Sequence, residues 1–174
     1  SAYRGPSASE ALAALEQMFA TQVPASHVAA IVFEPQLGEG GFVPAPPEFV
    51  EGLRRICDEH GIVLVADEVQ TGFGRTGRMF AMEHFAVEPD LVTVAKSIAG
   101  GLPLSGVVGR AEIMDGAHAG AIGGTYIGNP VALAAAVAVL DVFEEERLVE
   151  RAGAIGDLLR MRMHDWHERW PQVG

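Results

Sequence analysis

The sequence predicts an α/β fold, in which a mostly parallel sheet is flanked by helices. Two observations support this fold class. Short apolar runs of strand length alternate with longer segments whose apolar residues recur at helical spacing. The apolar runs lack the polar alternation of a half-exposed strand, which is typical of strands covered on both faces. With 174 residues, 49% of them hydrophobic, the chain suits one globular domain or part of a larger protein.

The first predicted helix and strand lie at residues 9–21 and 28–33. Apolar residues recur at helical spacing through the first range, and Ser7 or Ser9 can act as its N-cap. The second range is continuously apolar and is followed by Glu34. We therefore expect a strand that is buried on both faces.

A second helix and strand are predicted after a loop rich in glycine and proline at 35–47. The helical pattern covers 48–60, and Gly61 stands where a left-handed C-cap is expected. The apolar run 62–66 follows and leads directly into Asp67. This order of helix and strand is that of a βαβ unit, so the first two strands are expected to be parallel.

The third predicted strand covers 91–95 and is followed directly by Lys96, and a fourth lies at 104–108. The link between them, 96–103, is too short for a parallel crossover, so we expect this pair to be antiparallel. A long helix is predicted over 130–146, and a further helical pattern follows it.

Composition restricts the classes of partner. The chain has 12 basic and 23 acidic residues, a net charge of −11, so a nucleic acid or an anionic membrane is not expected to bind. The apolar runs are too short to span a bilayer, and the N-terminal residues do not resemble a signal peptide. Cys57 is the only cysteine, which argues against a disulfide framework or a cysteine-based metal site. We expect a cytoplasmic protein.

Three of the predicted strands end in a charged residue: Glu34, Asp67 and Lys96. Ligands of open α/β sheets bind outside the carboxyl ends of the strands. Although any single strand end can reach solvent and carry a polar residue, three such residues indicate a shared pocket.

Lys96 is the only lysine in the chain, against 11 arginines. A lysine amine can lose its proton and act as a nucleophile, which a guanidinium cannot do. The apolar residues before Lys96 favour the neutral amine, and Gly100 and Gly101 leave room for a planar group beside it. A Schiff-base lysine is the specific interpretation, and a surface lysine with its amine in water is the simpler alternative.

Asp67 offers the matching carboxylate. At the base of a pocket, a carboxylate can keep a pyridinium nitrogen protonated, so Lys96 and Asp67 together are the minimum equipment for pyridoxal phosphate (PLP) chemistry. A divalent metal at Asp67 and Glu68 is a second interpretation, but no histidine or further carboxylate has suitable local spacing.

Two glycine-containing segments are weaker signals. The segment 72–77 matches the dinucleotide pattern G-x-G-x-x-G, but five residues separate it from the preceding strand, so we interpret it as a flexible loop. The segment 123–126 precedes a predicted helix, where backbone amides and the Thr125 hydroxyl could bind a phosphate oxygen.

Several motifs together resemble the class III PLP-dependent aminotransferases, in the order of that family and over essentially the whole chain. They are EPQLGEGG at 34–41, DEVQTGFGRTG at 67–77, PD at 89–90, AKS at 95–97 and GGTYIGNP at 123–130. The last motif resembles that of 4-aminobutyrate aminotransferases more than that of ornithine aminotransferases.

The resemblance implies a role for each matching residue at the cofactor. Lys96 would form the Schiff base and move a proton between substrate and cofactor, and Asp67 would pair with the pyridinium nitrogen. Val69 would pack against the ring, and Gln70 would hydrogen-bond its phenolic oxygen. Thr125 would reach the cofactor phosphate of a neighbouring subunit, which implies a homodimer or higher homo-oligomer.

The resemblance also implies roles for two glutamates. Glu39 would neutralise an arginine and then swing away, so that the arginine can hold the α-carboxylate of a 2-oxo acid. Glu34 would support Gln70 from behind. No metal is implied.

The implied fold is the large domain of fold-type I PLP-dependent transferases. Residues 1–147 would be the central part of that domain, and residues 148–174 a helical extension towards a C-terminal small domain. The implied reaction is transamination of an ω-amino acid, 4-aminobutyrate first, with 2-oxoglutarate as acceptor, and the fragment alone is expected to be inactive. The alternatives are a class III enzyme for ornithine, acetylornithine, lysine or diaminobutyrate, a non-catalytic interaction module, and, least favoured, an NAD-binding domain.

Overall fold

The structure is a computed structural model that describes residues 5–170 and residue 172. Its centre is a four-stranded sheet in which the strands lie side by side in chain order. The strands are β1 (Ala30–Phe33), β2 (Val63–Asp67), β3 (Leu91–Val94) and β4 (Gly106–Gly109). β1, β2 and β3 are parallel, and β4 runs antiparallel to β3. The predicted fold class and the antiparallel last pair are therefore confirmed.

Helices connect and flank the strands. They are α1 (Ala8–Thr21), α2 (Pro47–His60), α3 (Ala111–Met114), α4 (Pro130–Glu145) and α5 (Leu148–Arg169), with shorter 3-10 helices at Ala25–His27, Ala81–His84 and Lys96–Ala99. The predicted helices lie within one residue of the observed bounds, whereas α3 and the 3-10 helices are too short for periodicity to reveal. None of the helices in the described ranges is both long and apolar enough to cross a membrane.

Local sequence signals explain where the first two helices begin and end. The hydroxyl of Ser7 accepts from the backbone N–H of Glu10, while Glu10 Oε2 accepts from the backbone N–H of Ser7, so Ser7 is the N-cap of α1. α2 ends at Gly61, which has a φ of 68°, a left-handed conformation that glycine adopts without a steric cost.

The main core lies between α2 and the sheet, and α1 packs against α2 beside it. Its buried members are Val50, Leu53, Cys57, Ile62, Leu64, Ala66, Met82 and Val87. Burial raises the pKa of Cys57 to about 11, so its thiol stays protonated at neutral pH and acts as a packing group.

The first strand is shorter and less buried than expected. β1 begins at Ala30 rather than at residue 28, and its residues alternate between exposed and partly buried. Val32 is 63% exposed. Since β1 is an edge strand of the described sheet, the prediction that it is buried on both faces was wrong for this chain.

A buried aspartate ties the strands to α2. Asp90 is 5% exposed, and its carboxylate accepts from the backbone N–H of Leu64 at 2.7 Å, from Arg54 at 2.9 Å and from Arg110 at 3.1 Å. Burial opposes the charge on Asp90, but these hydrogen bonds outweigh it, so the pKa of Asp90 lies below its usual value.

Candidate active site

Charged residues lie at the carboxyl ends of the three parallel strands. Glu34 directly follows β1, Asp67 is the last residue of β2, and Lys96 follows β3 by two positions. Because these strands are parallel, the three residues lie at the same edge of the sheet. Glu34 and Asp67 line one cavity of about 750 Å³.

One oxygen of the Asp67 carboxylate is held by neighbouring residues. Its Oδ1 atom accepts from the backbone N–H of Val69 at 3.0 Å and from the hydroxyl of Thr93 at 3.1 Å. The Oδ2 atom receives no hydrogen bond from any residue in the described ranges. The carboxylate is thus oriented by its neighbours and keeps one oxygen available to a ligand.

Lys96 has an unusual backbone conformation. Its φ is 47°, in the left-handed region that costs a residue with a side chain about 1–2 kcal/mol. This conformation begins the 3-10 helix Lys96–Ala99, against which α4 packs. The Nζ atom donates a hydrogen bond to Oε1 of Gln70. Strain of this kind is found at functional sites, where the surrounding structure imposes it.

Gln70 is packed closely on its other side. A Cβ atom built on Gly38 would lie 3.1 Å from Cγ of Gln70 and 3.6 Å from Oε2 of Glu34. The backbone N–H of Gly38 donates to the same Glu34 oxygen at 2.9 Å. Contacts thus run from Glu34 to Gly38, from Gly38 to Gln70 and from Gln70 to Lys96, and the supporting role of Glu34 stays a prediction.

The other two predicted site residues are exposed. Glu39 lies in the loop between β1 and α2, whose ends are joined by a β-bridge between Gln36 and Pro44. Thr125 lies in a turn before α4. Within the described ranges, neither side chain has a hydrogen-bond or ion-pair partner, so their roles stay predictions.

Glu68 is a residue that the sequence offers only as part of an alternative metal site. Its side chain is 0% exposed and accepts hydrogen bonds from Thr71 and from the backbone N–H groups of Ala81 and Met82. The burial of Glu68 could have been predicted from strand alternation. Adjacent residues face opposite sides of a sheet, so if Asp67 faces the cavity, Glu68 is expected to face the interior. In the described ranges, no group of three or more histidine, cysteine, aspartate or glutamate residues could hold a metal ion.

Comparisons with known proteins identify the relatives of this chain. The chain is 52% identical to 5-aminovalerate aminotransferase of Pseudomonas putida and 51% identical to 4-aminobutyrate aminotransferase of Escherichia coli. Each match covers 98% of this chain, which spans only 40% of either relative. The fold resembles ornithine aminotransferase of Toxoplasma gondii, solved with PLP at partial occupancy in its active site. The TM-score is 0.81 at 36% identity, over 92% of this chain and 37% of that one.

The family itself follows from a match over nearly the full sequence. The model of the class III aminotransferases matches residues 2–174. This match includes each strand end and loop described above, and it agrees with the resemblance that the motifs carry. The chain belongs to the class III aminotransferase family.

Proposed function

We propose that this chain supplies the cofactor-holding part of the active site of an aminotransferase that acts on ω-amino acids. In the complete protein, the donor is 4-aminobutyrate and the acceptor a 2-oxo acid, 2-oxoglutarate first. One observation carries the proposal: the only lysine amine of the chain contacts Gln70 at the sheet edge where Asp67 presents its carboxylate.

PLP is the cofactor of this family, and the residues present fit it. Asp67 keeps Oδ2 available while Oδ1 is held by Val69 and Thr93, as a partner for a pyridinium nitrogen requires. Lys96 offers an amine within reach of an amide oxygen. We propose that Lys96 binds the cofactor covalently, that Asp67 pairs with its ring nitrogen, and that Val69 packs on its ring.

The remaining roles follow the chemistry of each side chain. When bound, PLP supplies an electron sink for negative charge on the substrate carbon. Once the amino group of the donor has displaced it from the cofactor, the free Lys96 amine would take the proton from that carbon and return a proton later, because an amine can act as both base and acid. Gln70 orients the amine and donates from its amide nitrogen to the phenolic oxygen of the cofactor. Thr125 binds the phosphate held by a partner subunit, so the active unit is a homodimer or a higher homo-oligomer.

The choice of donor rests on the relatives. At 51–52% identity, they are named for 4-aminobutyrate and 5-aminovalerate, which are both ω-amino acids. These two donors differ by one methylene group, which a binding site distinguishes by roughly 10- to 200-fold. We therefore propose an unbranched ω-amino acid as the donor class, with 4-aminobutyrate as the first member to test.

The domain division and location are proposed with the activity. Arg147, with a φ of 51°, separates α4 from α5, and we propose that residues 1–147 belong to the large domain while 148–174 lead to a small domain. We also propose that the complete enzyme is cytoplasmic and that this fragment alone is inactive, because it spans two fifths of the relatives.

The test is an amino-donor screen with the complete protein. Purified protein with PLP and 2-oxoglutarate is given 4-aminobutyrate, 5-aminovalerate, ornithine, acetylornithine, lysine or diaminobutyrate, and glutamate is measured. We expect one of the first two donors to give the highest kcat/KM, and Lys96→Ala to abolish glutamate formation. A preference for another donor would support the alternative class III enzymes. If none of these donors gives glutamate, the result would support the non-catalytic module.

A further inference from the structure

Glu68 is a fully buried carboxyl group next to the cofactor site, and the proposed reaction gives it no role. Its side chain is 0% exposed, whereas that of neighbouring Asp67 is partly exposed. Removing a carboxylate from water is costly unless hydrogen bonds replace its hydration. The structure supplies such bonds, so the contacts of Glu68 indicate what its carboxylate holds in place.

Three donors from two segments converge on the Glu68 carboxylate. Oε2 accepts from the Thr71 hydroxyl at 2.5 Å and from the backbone N–H of Ala81 at 2.9 Å. Oε1 accepts from the backbone N–H of Met82 at 2.8 Å. The carboxylate therefore joins the start of the loop that follows β2 to the 3-10 helix that ends it.

The backbone of Glu68 closes a turn. Its N–H donates to the carbonyl of Thr93 on β3 at 3.0 Å, and its own carbonyl accepts from the N–H of Gly72 at 2.9 Å. Val69 and Gln70 lie within this 68–72 turn. Anything that fixes the turn against β3 and the 81–82 segment therefore also fixes the backbone of Gln70.

The turn sets the position of the Gln70 amide at Lys96. Oε1 of Gln70 accepts the hydrogen bond from Lys96 Nζ, and Gly38 packs against its other side. We propose that Glu68 is a positioning residue, whose buried carboxylate fixes the 68–72 turn and so holds Gln70 against the reactive amine. This inference rests on the proposed function for the role of Lys96, while the effect on the turn can be measured without activity.

Hydrogen exchange shows whether Glu68 fixes the 68–72 turn or only holds the backbone of Ala81 and Met82. The complete protein without cofactor is compared with its Glu68→Gln variant. We expect amide exchange to accelerate by about tenfold or more at Ala81 and Met82, and also at Val69 and Gly72 in the turn, since a bond to a charged group is lost. Acceleration confined to Ala81 and Met82 would overturn the proposal.

Glu83 provides a matched control. Its Oε1 atom accepts from the backbone N–H of Phe80 at 2.7 Å, in the same loop, but its side chain makes no hydrogen bond to the 68–72 turn within the described ranges. Glu83→Gln makes the same chemical change and is expected to leave Val69 and Gly72 unchanged. Equal acceleration of the turn in both variants would mean that any loss of charge loosens the loop, which also contradicts the proposal.

A spectroscopic readout connects the turn to the site. In the complete protein with PLP, Glu68→Gln and Thr71→Val are expected to shift the visible absorption maximum and to weaken PLP affinity by about tenfold. Thr71→Ser keeps the hydroxyl and is expected to match the wild type. If Glu68→Gln does not fold, the test rests on Thr71→Val alone. The proposal would be overturned if the folded variant keeps the absorption maximum and the PLP affinity of the wild type. It would also be overturned if Thr71→Ser changes them as much as Thr71→Val does.

Failure of the proposed function gives a different result. A wild-type protein that binds no PLP and transfers no amino group would overturn the function, while the exchange pattern would still decide whether Glu68 holds the turn. A wild type that is active, combined with an undisturbed turn in Glu68→Gln, would overturn the positioning role alone.

Discussion

The amine of Lys96 donates a hydrogen bond to Oε1 of Gln70, although 26 residues separate the two positions in the chain. β2 leads into Gln70 and β3 leads into Lys96, and the two strands pair in parallel with Asp67 opposite Thr93. The contact therefore depends on the register of the sheet. Shifting the register by one residue would turn each side chain to the opposite face.

Replacing Lys96 is expected to abolish amino transfer in the complete protein. Lys96→Arg keeps the positive charge but cannot supply a neutral amine, and Lys96→Ala removes the group altogether. Borohydride reduction in the presence of PLP, followed by peptide mapping, is expected to place the pyridoxyl group on Lys96 in the wild type. A label found only on the N-terminal amine, or on a lysine outside this chain, would remove Lys96 from the mechanism.

Asp67→Asn is expected to retain PLP and to slow proton removal from the donor by about 10²- to 10³-fold. The amide oxygen of Asn can still accept from Val69 and Thr93, so the side chain keeps its place, but it cannot keep the pyridinium nitrogen protonated. Single-turnover kinetics with 4-aminobutyrate measure this step. A near-normal rate would show that the Asp67 charge is not used.

Much of the fold is predictable because its signals are local. The N-cap at Ser7 and the C-cap at Gly61 fix helix ends through contacts within a few residues. The exposure of Val32 could not be predicted, since it depends on what covers the edge strand and not on the apolar run itself. The left-handed conformation of Lys96 was also unpredictable, because neither periodicity nor composition reports a single strained residue.

The candidate site was likewise predictable only in part. Glu34, Asp67 and Lys96 could be predicted to lie at one edge, since each follows an apolar run and parallel strands end together. The contacts from Glu34 to Gly38 and from Gly38 to Gln70 depend on loop geometry, and from the sequence a link between Glu34 and Gln70 is implied only by the family resemblance.

Gly38→Ala is expected to disturb Gln70 by adding one methyl group. The new Cβ atom would lie 3.1 Å from Cγ of Gln70, closer than ordinary van der Waals contact, so the Gln70 side chain has to shift by a few tenths of an ångström, which changes the position of its amide relative to Lys96. We expect PLP affinity of the complete protein to fall by about tenfold. Gly153→Ala is the control, since a Cβ there meets no atom of the described residues within 4 Å. Equal affinity in the two variants would contradict the packing argument.

Glu39→Gln is expected to affect the two half-reactions unequally. If Glu39 neutralises an arginine from the rest of the protein while the ω-amino donor is bound, the variant leaves that arginine unpaired in this half-reaction only. We expect the rate with 4-aminobutyrate to fall by at least about tenfold, and the rate with 2-oxoglutarate to change less. Stopped-flow absorbance follows each half-reaction separately. Glu88→Gln, at another exposed glutamate, serves as control, and equal losses in both directions would make Glu39 a structural residue.

Asp90→Asn is expected to destabilise the fold by about 2 kcal/mol at pH 7, because the amide loses its charge-assisted bonds to Arg54 and Arg110. The pKa of Asp90 is lower in the folded than in the unfolded protein, where its usual value is 3.8. The stabilisation is therefore complete above that pH and is lost as the pH falls through the lower, folded value. In urea unfolding, the difference in the free energy of unfolding between wild type and variant should be constant from about pH 5 to 7 and should disappear below about pH 4.

Asp58→Asn is the control for this prediction. It removes the exposed partner of the same Arg54 and is expected to change stability by no more than about 0.5 kcal/mol. Similar losses in both variants would show that Arg54, rather than the buried carboxylate, determines the effect.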